Sequence, residues 1–259
     1  MMLKLALLML LVPQAPQQKF DPRDLSGHWN RTSRFQTFSN VFSGQGNAQG
    51  TEEAPFTPAG KAKFEANKPG YGPRAVPPAL GNDPMGTCDP LGIPRLLNTE
   101  VITPHQTMEI VQVAGRMIQF FEWHHDWRVV FIDRQLPAAD SVEPKWNGTS
   151  VGKWEGDVFV VDSIGFDDRT WLDKFGYPHS ENMKLQERYR RIDADTLELT
   201  MTITDPEIYT RPWASDTKLF RLDRAKSSRW DEQIYCVPTE EYKFNQRVRD
   251  EAGGKGAGK

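Results

Sequence analysis

After Glu100 the chain alternates apolar and polar residues with period two over most of its length, the period of strands that bury one face. The clearest run sets Leu197, Leu199, Met201 and Ile203 against Glu198, Thr200, Thr202 and Thr204; before it, Met183, Leu185 and Tyr189 alternate with Lys184, Gln186, Arg188 and Arg190. These runs predict a hairpin turning at Asp193-Ala194-Asp195. Keeping both dry faces level requires an even register sum, which sets Glu187 opposite Met201. MEIVQV and MIQFFEW around Ala114-Gly115-Arg116 predict a second hairpin, and WRVVFID follows a turn at His124-His125-Asp126. TSVGKW and VFVVDS flank a turn at Glu155-Gly156-Asp157, while DLSGHWN opens the set and TKLFRLD closes it. One-faced hairpins in succession predict an all-β fold, an antiparallel up-and-down barrel, because closure removes free edges and a barrel of about eight strands can hold one small ligand.

Residues 31–104 break the pattern. Nine prolines, from Pro55 to Pro94, crowd this stretch, and proline removes ladder donors, so it is read as an extended wrap outside the sheet. It contains one short helix, with Thr57 as N-cap, Pro58 at the first helical position and AGKAKFEANK running to a stop at Pro69. A second short peripheral helix is predicted from about Thr239 to Arg249, followed by a disordered tail over 251–259. The first residues, MMLKLALLMLLV, place one lysine before an apolar run about half the roughly 20 residues a bilayer span needs; residues 1–18 therefore read as a secretory signal peptide, with no membrane span. The remaining 19–250 form a single barrel domain.

Net charge is −3 with both signs interspersed, which lacks the basic footprint of a nucleic-acid binder. Only Cys88 and Cys236 are present. Export to a periplasmic or extracellular compartment favours a disulfide between them, the alternative being two separate buried thiols.

Gly27-His28-Trp29 resembles the G-x-W that opens lipocalins. A longer set of motifs resembles a family of uncharacterised exported bacterial proteins: DLSGHW at 24, FTPAGKAKFEANKPGYGPRAVPPALGNDPMGTCDPLGIPR at 56–95, SVGKWEGDVFVVDSIGFDDRTWLD at 150–173, GYPHSENMKLQERYRRIDADTLELTMTITDP at 176–206 and YTRPW at 209. The resemblance implies export and a lipocalin-like barrel. It carries no catalytic assignment.

Glu187 is the chemical anomaly, a carboxylate on the dry side of its strand that must be paired or desolvated. Arg191, on the same face, is its expected partner. The pair is either a structural ion pair or part of a site. Between Val161 and Met183 lies a stretch without strand pattern, longer than the about 12–15 residues usual for structureless loops and therefore a candidate lid. In the functional reading His179 from this loop carries a proton, Glu187 orients it, Asp162 is an accessory acid, and Arg191 or Arg188 clamps an anion. Tyr189, Trp171 and Asp168 complete the ligand wall, with Trp171 anchoring the lid and Asp167 and Asp168 capping a short turn before it. That reading is metal-free and cofactor-free acid–base chemistry of the lyase, isomerase or hydratase kind on a small, partly apolar molecule in the barrel interior; the alternatives are simple ligand binding and a structural or partner-binding module. Around His124 and His125 no metal-ligand spacing appears, and a Glu122–Arg128 cross-strand pair is expected instead. Gly148-Thr149-Ser150-Val151-Gly152 fits G-x-S-x-G, but a nucleophile elbow needs a strand before and a helix after, and here the neighbours are a Pro/Trp loop and a hairpin.

Overall fold

A computed structural model describes residues 19–32, 38–39, 54–77, 80–98, 107–224 and 236–237. The segments read as a signal peptide, a second peripheral helix and a tail lie outside the described residues. Ten strands occur among those described: β1 (Gly27–Arg31), β2 (Thr107–Val113), β3 (Arg116–Phe121), β4 (Trp127–Ile132), β5 (Thr149–Glu155), β6 (Val158–Ile164), β7 (Lys184–Arg191), β8 (Thr196–Thr204), β9 (Trp213–Ala214) and β10 (Lys218–Leu222). They run in the order β10-β1-β2-β3-β4-β5-β6-β7-β8-β9, and a further β10–β8 pairing closes nine of them into a barrel. β8 serves two neighbours along one edge: Thr196–Leu199 pair with β10, and Thr202 and Ile203 with β9.

The strands are antiparallel except at one seam, where β4 and β5 run parallel. Closure explains it. Strand direction alternates around an antiparallel ring, so a ring with an odd number of strands must contain one like-directed pair. A parallel pair needs a crossover of about a dozen residues or more. Residues 133–148 supply it, with Asp133 at φ 56° to start the return and a 3₁₀ turn at Ala139–Ser141.

The hairpin register follows the apolar pattern. Glu187 pairs with Met201, and Leu197, Leu199, Met201 and Ile203 all point inward, at most 1% exposed. Gly152 on β5 makes room inside the barrel, since a Cβ there would lie 2.3 Å from the Phe159 ring. At the end where β1 starts and β7 finishes, the Arg191 guanidinium lies 5.5 Å from the Trp29 ring centre and donates to the carbonyls of Asp24 and Ala194. Arg191 is thus an end closure.

The opposite mouth is filled by the loop 165–182, in which every residue from Thr170 to Ser180 is buried. The expected lid is a plug. The Pro-rich wrap covers it with helix α1 (Pro58–Ala66), capped by Thr57 as its sequence predicts. Gly60 lets the helix approach the 205–209 segment, for a Cβ there would meet the Ile208 carbonyl at 2.1 Å. Phe64 stacks on Tyr177 at 4.7 Å, and Trp213 meets Tyr177 at 5.2 Å and Phe38 at 5.1 Å in tilted contacts, an aromatic layer joining wrap, plug and sheet. A disulfide joins Cys88 in the wrap to Cys236. A second short helix, α2 (Arg95–Asn98), is buried on all four residues. None of the described helices is long and apolar enough to cross a membrane.

Candidate functional site

Inside the barrel, Glu187 is 0% exposed and held by a closed network. Its Oε1 accepts from Arg128 Nη1 at 2.8 Å, and its Oε2 accepts from Arg128 Nη2 and, at 2.6 Å, from the Tyr189 hydroxyl. Arg128 Nε donates to Gln119 Oε1 at 2.6 Å, and Gln119 Nε2 donates to Tyr189 Oη at 3.0 Å. Burial alone would lower the Arg128 pKa, but the Glu187 carboxylate and Tyr189 hold it above its ordinary value. Burial and the same carboxylate push Tyr189 well above its ordinary value, so its hydroxyl remains a donor. The partner of Glu187 is therefore Arg128, in place of the expected Arg191, and the Arg128 guanidinium is engaged by Glu187, Gln119 and Tyr189. Each charged atom in this network is engaged by another member, with three hydrogen bonds on the carboxylate, which fixes four inward side chains.

Two sequence-predicted residues lie outside the barrel. Asp162 accepts from Gln186 Nε2 at 2.9 Å on the outer surface, and Arg188 pairs with Glu155 at 3.1 Å. Asp162, expected as an accessory acid of the interior, faces out because β6 is apolar on both sides: the inward set is Phe159, Val161 and Ser163, and Val158, Val160 and Asp162 point away from it.

His179 is buried in the plug and meets Thr170. Its Nδ1 lies 3.0 Å from the Ser180 carbonyl, which can only accept, so Nδ1 carries the proton and Nε2 accepts from the Thr170 hydroxyl at 2.6 Å. Burial pushes the imidazole below its ordinary pKa, against the Ser180 carbonyl and Asp205, and keeps it neutral at pH 7. Its hydrogen bonds go to Thr170 and Ser180, and none joins it to Glu187.

Thr170 opens onto a cleft of about 400 Å³ between plug and wrap, lined also by Lys63, Asp89, Asp168, Arg169 and Trp171. Lys63, from α1, spans it: Nζ donates to Asp168 Oδ2 at 2.7 Å and to the His179 carbonyl at 3.0 Å. Trp171 is 4% exposed beneath the Arg95 guanidinium, which is itself fixed by a two-pronged pair with Asp83 at 2.8 and 2.7 Å. Asp168, Trp171 and, through Thr170, His179 thus converge, while Glu187 and Tyr189 stand apart in the interior. Sequence reasoning missed Lys63, Asp89 and Thr170 at the cleft and Arg128 and Gln119 inside. Gln119 carried a usable signal, being a polar residue between inward Met117 and Phe121.

Within the plug, burial raises Asp173 to about 6, opposed by the Phe38 and Phe175 amides at 2.8 and 2.9 Å and by the charges of Arg95 and Lys218. A carboxyl pKa raised on folding means that the native state binds the proton more tightly. Its stabilising contribution is full below about pH 4 and is lost as pH rises through about 6, a change of about 3 kcal/mol. Denaturant unfolding of wild type and Asp173→Asn between pH 4 and pH 7.5 should show the wild-type advantage shrinking by that amount; a constant difference would show that the carboxyl does not titrate in this window. Comparison with models of known protein families, with curated proteins and with solved structures finds no match to this chain.

Proposed function

We propose that the protein is an exported, lipocalin-like β-barrel that binds a small polar molecule in the cleft between plug and wrap. The observation that carries this reading is the contrast between two groups of polar side chains. The interior set is engaged within itself, whereas Lys63, Asp168 and Thr170 line an open volume of about 400 Å³, the scale of a small-ligand pocket, with His179 buried behind Thr170. The early apolar run and the Cys88–Cys236 disulfide support export.

A second reading rests on the Thr170–His179 hydrogen bond at 2.6 Å. A neutral imidazole with its lone pair on a cleft-lining hydroxyl accepts a proton relayed through that hydroxyl, the role sought for His179 in metal-free acid–base chemistry. Both readings are tested by a thermal-shift screen of small metabolites on wild type, Asp168→Ala and, as a control in an outer groove, Lys184→Ala. Stabilising compounds should lose their effect in Asp168→Ala and keep it in Lys184→Ala. Hits that ignore the cleft substitution would overturn the binding reading. Among true hits, one consumed by wild type but not by His179→Gln would favour catalysis.

A further inference from the structure

We infer that the cleft selects a hydrophilic primary amine, of the amino-sugar or amino-alcohol kind; the inference rests on the cleft being the binding site. The argument is an account of which polar atoms remain unspent. Of the two cations on the wall, Arg169 is committed to Asp167, with Nε and Nη2 at 2.9 and 2.6 Å from its carboxylate, and stacks over Trp146 at 4.2 Å. Lys63 is committed to Asp168 and to the His179 carbonyl. The acceptors are less occupied. Asp168 has Oδ2 on Lys63 and Oδ1 unused. Among the described residues Asp89 holds only a 3.3 Å contact from the Thr87 hydroxyl on Oδ2, with no partner on Oδ1. Asn67 gives its amide N–H to the Gly176 carbonyl at 2.8 Å, and its Oδ1 accepts no hydrogen bond among the described residues.

Asp89 and Asp168 both line the cleft beside Arg169, whose guanidinium is held first by Asp167. With Asp167 counted, three carboxylates face two cations, and the surplus is one of acceptors and negative charge. A ligand that matches this wall brings donors and a positive charge, and a protonated primary amine offers three N–H donors in one compact group. The amide oxygen of Asn67 and the surrounding polar rim suit the hydroxyl groups such a molecule carries. An anion would meet cations already engaged and carboxylates that repel it.

The test is isothermal titration of the full-length oxidised protein at low salt with glucosamine and ethanolamine, with glucose and inorganic phosphate as comparisons. The expected result is amine binding weakened about tenfold or more in Asp89→Asn/Asp168→Asn, unchanged in Lys184→Ala, and lost when the amine is N-acetylated. Melting temperatures of the variants confirm that they remain folded. Absence of amine binding by the folded wild type overturns the inference. Phosphate binding abolished by Arg169→Ala would overturn the amine class and keep the cleft, whereas amine binding indifferent to both aspartates would remove the cleft itself.

Discussion

Replacing Glu187 by alanine is expected to cost about 3–5 kcal/mol of folding stability, among the largest effects of a single substitution in this chain, because it strands the buried Arg128 guanidinium. Arg128 is 4% exposed and Glu187 0%, so water does not substitute for the missing carboxylate. The joint replacement Arg128→Met/Glu187→Leu removes both charges and leaves Gln119 and Tyr189 hydrogen-bonded to each other, as they already are at 3.0 Å. It should recover most of the loss, giving a strongly non-additive double-mutant cycle. Denaturant unfolding of the four proteins measures it. A Glu187→Ala penalty under about 1 kcal/mol would mean that water reaches the carboxylate, and would restore the barrel interior as the candidate ligand chamber.

That interior was partly legible in the sequence. Leu197, Leu199, Met201 and Ile203 alternate with threonines and a glutamate, so their strand, its register and the inward direction of Glu187 follow from one pattern. Helix α1 was equally legible, because Thr57 and Pro58 are local signals that need no tertiary context. The partner of Glu187 was not. β4 carries apolar residues on both faces, with Trp127, Val129 and Phe131 on one and Val130 on the other, so alternation could not say which way Arg128 points. The same ambiguity in β6 put Asp162 on the wrong side. The parallel seam is a property of the closed ring, and the 133–148 crossover carries no periodic trace of it. The cleft was the least legible feature of all: Lys63 and Asp168 come together only when the wrap packs on the plug, at a separation of 105 residues. His179, Trp171 and Asp168 stood out as candidates because a long patternless loop rich in chemistry-bearing side chains is itself a signal, yet the sequence joined them to Glu187 when the fold joins them to Lys63.

The second large effect concerns the Cys88–Cys236 bond, whose partners are 148 residues apart. A cross-link of that span restricts the unfolded chain strongly, and its removal in Cys88→Ser/Cys236→Ser is expected to lower stability by about 3–5 kcal/mol. Because the effect acts largely through the unfolded ensemble, the denaturant slope should steepen in the variant as its unfolded chain exposes more surface. The native consequence is local. Cys88 sits at φ 65° between Thr87 and Asp89, both in the cleft wall, so the bond pins the stretch that presents the Asp89 carboxylate. Amide exchange over 82–90 should therefore accelerate in the variant while the β7–β8 hairpin stays protected relative to global unfolding. A steeper slope with unchanged exchange at 82–90 would assign the bond to chain entropy alone; a loss of less than about 1 kcal/mol with an unchanged slope would show that it does not constrain the chain.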